Sequence, residues 1–456
     1  MLIQKPNVLW IMCDQLRRHS LSCYGDSNVQ TPSLDRLARE GVQCELGISS
    51  SPVCMPFRAS LVTGQYCNEH GVRIHGDLLT SDRRTIAHTF RAAGYRTSYV
   101  GKWHLASSVS DQSSGGEHWV HPLMRGGFED WYGFDVSNNY YNTCYSYGDF
   151  CDKNRVEGHQ TEGLAEISLS YLQNTALKLK QPWFHVLSFE APHGGRGNGT
   201  QRFPSNPAEH AYEMRFDPNN IILRENVPEI GSMQAKTRLA GYYAMIEQLD
   251  FNIGRILDWL DESGLNQHTL VVFFSDHGDM MGSHGRYEKQ VAYEESIGIP
   301  LILRLPGILP EEKKYGGLFS GIDIYPTCAG LCEVPVPANV QGFNLSADIL
   351  GLAGISRREV LVQWMGQSRY HWGDFPYRAI RTMRYTYCVA SEETNQRNSG
   401  HFCLLFDNEK DQFQLNNLYG KPGCEELQKN LHMQLCRAII NSGEEIPGFV
   451  YNMHCS

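Results

Sequence analysis

Short apolar runs separated by amphipathic stretches fill the first three quarters of the chain, the pattern of a sheet covered by helices on both faces. The runs at residues 8–12, 97–100, 183–189, 270–274 and 300–304 predict strands. Helices fall between them. Thr31 reads as an N-cap, with Pro32 at the first helical position and Leu34 and Leu37 facing inward. Between residues 233 and 260, Leu239, Ile246, Leu249, Ile253, Ile256 and Leu260 recur near a 3.6-residue period and predict one long helix. The pattern changes after Pro335 and Pro337. From about Val360 the runs at 377–382, 385–390 and 402–406 read as short strands, followed by a helix near 425–440. The prediction is an α/β protein in two parts. Residues 1–358 form a large, mostly parallel or mixed sheet flanked by helices on both faces, and residues 359–456 form a smaller antiparallel sheet with one helix.

Composition narrows the function. The 456 residues are 41% hydrophobic and 20% charged, which suits a large globular protein. Net charge is −10, with 18 histidines and no long basic run, so neither nucleic acid nor a polyanionic surface is an expected partner and any anion site must be local. No apolar run is long enough to span a bilayer. The N-terminal residues enter the first strand without a signal-peptide pattern, so the expected location is cytoplasmic. The 14 cysteines are scattered, without CxxC pairs, and read mostly as reduced core residues. Cys328 and Cys332 share a helix face but lack partner ligands, so zinc is not expected there. A homo-oligomer is compatible with all of this.

Candidate chemistry begins at Cys54-Met55-Pro56-Phe57-Arg58, a CxPxR spacing. Pro56 suits the start of a helix, where its missing N–H costs nothing. Cys54 would then stand at the helix N-terminus, which favours an anion, and Arg58, one turn on, can point back to the same place. A buried structural cysteine is the alternative. Asp14-Gln15 and Asp276-His277 each follow a predicted strand, where ligands gather in open α/β sheets, and carboxylates with an amide oxygen suit Ca²⁺ or Mg²⁺. Gly101-Lys102-Trp103-His104 ends another strand, His193 follows a third, and Lys289 follows the Asp276 loop.

The CxPxR core resembles the signature of the type I sulfatases, whose cysteine is oxidised to formylglycine, an aldehyde whose hydrate attacks sulfate esters. The ordered segments extend the resemblance over about residues 7–330. It implies an alkaline phosphatase-like fold and a transient partner, the formylglycine-generating enzyme. It implies Ca²⁺, with Mg²⁺ or Mn²⁺ as alternatives, on Asp14, Gln15, Asp276 and His277, completed by an oxygen of residue 54, the oxidised Cys54. Lys102 and Lys289 would bind sulfate oxygens beside Arg58, His104 would contact the nucleophile's hydroxyl, and His193 the leaving-group oxygen. Gln15 stands where the family often has Asp, His277 where it often has Asn, and Phe57 where serine is usual.

The implied reaction is hydrolysis of a small sulfated sugar or an aryl or alkyl sulfate. A phosphonate monoester or phosphodiester hydrolase of the same superfamily is the alternative, and a non-catalytic binding protein with an unmodified Cys54 is a third reading. Trp131, Tyr132, Tyr140, Tyr141, Tyr145 and Tyr147, among Asn138, Asn139 and Asn142, suit either stacking on a sugar or packing of a long loop. His371 and Trp372 could reach the same pocket from the smaller sheet.

Overall fold

The structure is a computed structural model and describes residues 5–106, 119–148, 153–195, 202–366, 375–391 and 403–451. Its large sheet contains β1 (Asn7–Asp14), β2 (Val42–Ile48), β3 (Arg96–Lys102), β4 (Asp130–Phe134), β5 (Cys144–Tyr147), β6 (Lys153–Arg155), β7 (Trp183–Pro192), β8 (Thr269–Ser275), β9 (Gly298–Ile299), β10 (Leu301–Arg304) and β11 (Lys313–Ser320). The order is β11-β2-β10-β8-β1-β7-β3-β4-β5-β6, with β9 paired to β2. The run β8-β1-β7-β3-β4 is parallel throughout. The strand expected at 300–304 is present as β10, but it runs antiparallel to both β8 and β2.

Successive residues enter opposite faces. Leu9, Ile11 and Cys13 of β1, with Val271 and Phe273 of β8, pack with the long helix Ser232–Glu262. Val8, Trp10 and Met12, with Leu270, Val272 and Phe274, enter the core on the other side. Because both faces are covered, these strands read as unbroken apolar runs. β2, β4, β5, β6 and β11 escaped the sequence pattern, since Gln43 and Glu45 interrupt β2 and β11 begins with two lysines and carries two glycines.

The helix Pro32–Arg39 begins after Thr31 with Leu34 and Leu37 buried, as the pattern predicts, but Thr31 makes no side-chain cap. Its hydroxyl is 2.5 Å from that of Ser22. The free N–H groups of Ser33 and Leu34 instead donate to Asp250 of the long helix, at 3.0 and 2.8 Å.

The smaller sheet is antiparallel in the order β12 (Glu359–Trp364), β13 (Tyr377–Thr382), β14 (Tyr385–Ala390), β15 (Leu404–Asp407). One face packs Leu361, Ile380 and Val389 against Leu431, Leu435 and Ile439 of the helix Glu425–Asn441. The other brings Val360, Val362 and Trp364 against Ile48, Val53 and Leu318, so the two sheets share a core. Among the described residues no helix is long and apolar enough to cross a membrane.

Candidate active site

The parallel run β8-β1-β7-β3 sends four carboxyl ends to one edge of the sheet, and each carries part of the site. Cys13 pairs with Ser275, so Asp14-Gln15 and Asp276-His277 leave the sheet side by side. Gly101 pairs with Ser188, bringing Lys102 next to the end of β7 and its Glu190. Gly101 has φ 102°, and a Cβ there would stand 2.0 Å from the Ser188 carbonyl oxygen, so this approach requires glycine. The fifth part comes from the helix Cys54–Thr63, whose first residue is Cys54. Pro56 is the third helical residue rather than the first; its missing N–H still falls among those with no partner inside the helix.

Asp14, Cys54, Asp276 and His277 are buried, and their ligand atoms all lie within 4.8 Å of one another. The Cys54 Sγ is 3.4 Å from Asp14 Oδ1 and 3.2 Å from His277 Nε2. His277 Nδ1 faces the Gly278 carbonyl at 2.9 Å and must carry the proton there. Burial pushes the pKa of this imidazole down, so the ring is neutral and its Nε2 lone pair turns into the cluster. Burial opposes charge on Asp14, yet Lys102, at 3.0 Å, leads the cations that hold its carboxyl well below the usual range. Asp276 goes the other way, raised by burial and then by Asp14. Its buried Oδ2 has no hydrogen-bond partner among the described residues and lies 3.6 Å from Arg58 Nε. Two carboxylates, one of them with an unsatisfied oxygen, and a neutral imidazole form a donor set that fits a divalent cation, whose positive charge would offset the repulsion between the acids. Burial, then Asp14, pushes the Cys54 thiol up, so it is protonated at neutral pH.

Arg58 is 2% exposed and lies behind this cluster rather than in the cleft. It donates to Asp14 Oδ2 (3.1 Å), the Lys102 carbonyl (2.7 Å) and Ser188 Oγ (3.0 Å). Gln15 turns its amide away from the cluster: the oxygen accepts from Lys289 Nζ, and the nitrogen donates to Asp279 and, at 3.2 Å, to Glu288.

Cys54, Gln15, Lys102, His104, His193 and Lys289 line one cleft of about 880 Å³. Lys102 also pairs with Glu190 at 3.1 Å. Lys289 Nζ lies 3.1 Å from His193 Nε2, and His193 Nδ1 meets the Gly194 carbonyl at 2.5 Å. His104 has φ 59°, its ring lies 5.5 Å from that of His75, and its buried Nδ1 has no hydrogen-bond partner among the described residues. Burial and then Lys102 keep His104 neutral.

Sequence reasoning missed Glu190, His75 and Asp279. Glu190 is fully buried, holds Lys102 and accepts from the N–H groups of Ser137 and Asn138 at 3.2 and 2.9 Å. Its signal was a carboxylate directly after the predicted strand at 183–189, where a charged group must find partners. Of the aromatic stretch, Asn138 lines the cleft, whereas Trp131 stacks on Tyr99 at 5.2 Å and the Tyr140 hydroxyl donates to the His193 carbonyl. Tyr132, Tyr141 and Tyr145 pack against the core, and Tyr147 rests on Tyr132. Trp131 and Tyr140 are buried in this packing, whereas Tyr147 is half exposed. His371 and Trp372 lie outside the described residues.

Residues 6–334 match the family model described as sulfatase. The chain belongs to the sulfatase family. The C-terminal part of this sulfatase, residues 282–441, matches the model for the N-sulphoglucosamine sulphohydrolase C-terminal region. The ulvan-active sulfatase of Formosa agariphila is 35% identical, over 97% of this chain and 82% of that one. An N-acetylglucosamine-6-O-sulfatase of Bacteroides thetaiotaomicron is 25% identical, over 95% of this chain and 86% of its own. A crystal structure named for the sulfatase yidJ of Bacteroides fragilis superposes with a TM-score of 0.83 at 28% identity, covering 98% of this chain and 97% of that one. This sulfatase is a sulfuric ester hydrolase with the mixed-sheet architecture of its relatives.

Proposed function

We propose that the enzyme hydrolyses the sulfate ester of a small sugar or of an aryl or alkyl alcohol, using residue 54 after its cysteine has been oxidised to formylglycine. One divalent cation, Ca²⁺, would be held by Asp14, Asp276 and His277, and by Gln15 once its amide turned from Lys289. One observation carries this reading. The Cys54 thiol, at a helix N-terminus and against Asp14 and His277, opens on the same cleft as Lys102, His104, His193 and Lys289.

When present, the hydrated aldehyde and the cation supply an oxygen nucleophile and a Lewis acid. The remaining work belongs to the side chains. Lys102, fixed between Asp14 and Glu190, and Lys289 hold the sulfate oxygens against the charge that shifts during reaction. Arg58 keeps Asp14 in place from behind. His104, neutral in its buried position, accepts a proton at residue 54. The Lys289–His193 pair faces the ester oxygen and passes it a proton as the S–O bond breaks, releasing the alcohol; the sulfate formed takes its new oxygen from water.

The test uses protein co-expressed with a formylglycine-generating enzyme. Mass spectrometry of the peptide spanning residue 54 should show the aldehyde or its hydrate, and initial rates should favour an aryl sulfate over the matching aryl phosphonate ester. An intact thiol after co-expression rejects the modification. Faster turnover of the phosphonate would make the enzyme a phosphonate monoester hydrolase instead.

A further inference from the structure

The cleft extends beyond the groups that the proposed reaction uses. Its outer wall carries Gln234 and Arg238, one helical turn apart near the start of the long helix, and faces Tyr287 on the loop that leads to Lys289. The Arg238 Cζ lies 4.3 Å from the centre of the Tyr287 ring. A guanidinium laid on an aromatic face is held in orientation while the edge that carries its N–H fork stays open to a planar or tetrahedral anion.

The charges around it sharpen the point. The two acids of this wall are occupied: Asp279 accepts from the N–H groups of Met281 (2.8 Å) and Glu288 (3.1 Å) and from Gln15, and Glu288 accepts from Gln15 (3.2 Å) and Lys289 (3.4 Å). Among the described residues Arg238 has no carboxylate within ion-pair distance, and it is only partly buried. A cleft of about 880 Å³ has room for more than one sulfated ring. A cation without a carboxylate, oriented by a ring and facing that space, is a binding group in search of an acceptor.

We infer that Arg238, laid on Tyr287, forms a second anion subsite, so that the preferred substrate is a sulfate ester of an acidic sugar. That sugar carries another anionic group, a carboxylate or a further sulfate, away from the scissile ester. This inference rests on the sulfate-ester reading of the cleft and adds the charge of the substrate to it.

Matured wild-type and Arg238→Gln enzymes are compared on two substrate pairs. One pair is a sulfated glucuronide against the sulfated glucoside, which differ only in the carboxylate. The other is a disulfated against a monosulfated neutral sugar. The wild type should show a KM about tenfold or more lower for the more highly charged member of at least one pair, the size of one charge-assisted contact. Arg238→Gln should abolish that advantage in KM while kcat changes by less than about twofold. The pair that responds identifies the second group as carboxylate or sulfate. Turnover of all four compounds with no charge preference, or a preference that survives in Arg238→Gln, overturns this inference alone. Absence of turnover of any sulfate ester by the matured wild type overturns both it and the reading on which it rests.

Discussion

Phe57 stands where the resembled signature usually carries serine, and its ring is fully buried. Opposite it, Gly321 leaves the space, since a Cβ there would lie 2.3 Å from the ring. The large residue and the absent side chain complement each other, so the departure is accommodated without disturbing Cys54 or Arg58 on the same helix. His193 is the residue whose chemistry can be tested most directly. It follows β7 on a different loop from His104, and its Nε2 meets Lys289. Two histidines on separate loops can serve opposite ends of one displacement. His193→Ala should therefore lower kcat/KM for alkyl sulfates by roughly 100-fold or more, but by less than about tenfold for nitrophenyl sulfate, whose departing oxygen needs little protonation. A leaving-group series measures this, and equal losses across it would remove His193 from the leaving-group side.

Among the elements, the helix Pro32–Arg39 shows how one segment depends on another. Asp250 of the long helix caps it, and burial pushes this carboxyl up to about 6, outweighing the Leu34 and Ser33 N–H groups that favour the charged form. Native Asp250 therefore keeps a proton between roughly pH 4 and pH 6 that the unfolded chain has released. Its contribution to stability is greatest at the acid end of that window and is lost as pH rises through the folded value. Asp250→Asn removes this titration. The wild type should gain roughly 2–2.5 kcal/mol relative to Asp250→Asn between pH 7 and pH 4, measured by urea unfolding at both pH values. A constant difference would show that Asp250 does not titrate in this window.

At the scale of the whole molecule, Glu294 ties the two sheets together. Its carboxylate takes Arg18 from the first part of the chain at 2.9 Å and Arg381 of β13 at 2.5 Å, and all three residues are buried. Burial works against the charge, but Arg381 and then Arg18 prevail and hold the carboxyl at about 2. A carboxyl with a lowered pKa stabilises fully above its unfolded value and loses that contribution as pH falls through the folded one. Glu294→Gln leaves two buried guanidinium groups without their charge partner and should cost about 3–5 kcal/mol at pH 7. The gap between wild type and Glu294→Gln should close between roughly pH 4.5 and pH 2 in chemical unfolding. A gap that persists at low pH would assign the loss to shape rather than charge.

Much of this was present in the order of residues. Short apolar runs located the central strands of the large sheet, and β13 and β14 almost to their ends, and a 3.6-residue period located the long helix, because a strand buried on both faces is apolar throughout and a helix with one buried stripe repeats every turn. Cys54 could be picked out from the CxPxR spacing, Asp14, Asp276, Lys102, His104 and His193 from positions at or just after strand ends, and Lys289 from its place after the Asp276 loop. Other features depended on contacts that no local period records. The antiparallel direction of β10, the capping of Pro32–Arg39 by Asp250, the anchoring of Lys102 by Glu190 and the turned amide of Gln15 all join residues distant in sequence. The position of Arg58 behind Asp14, and of Arg238 on Tyr287 in the outer cleft, was set in the same way. The sequence by itself determined which residues were candidates for the chemistry, since motif and period are local properties. Only the tertiary structure decided what each of those residues faces, because partners for buried charges and hydrogen bonds are chosen after the chain has been brought together.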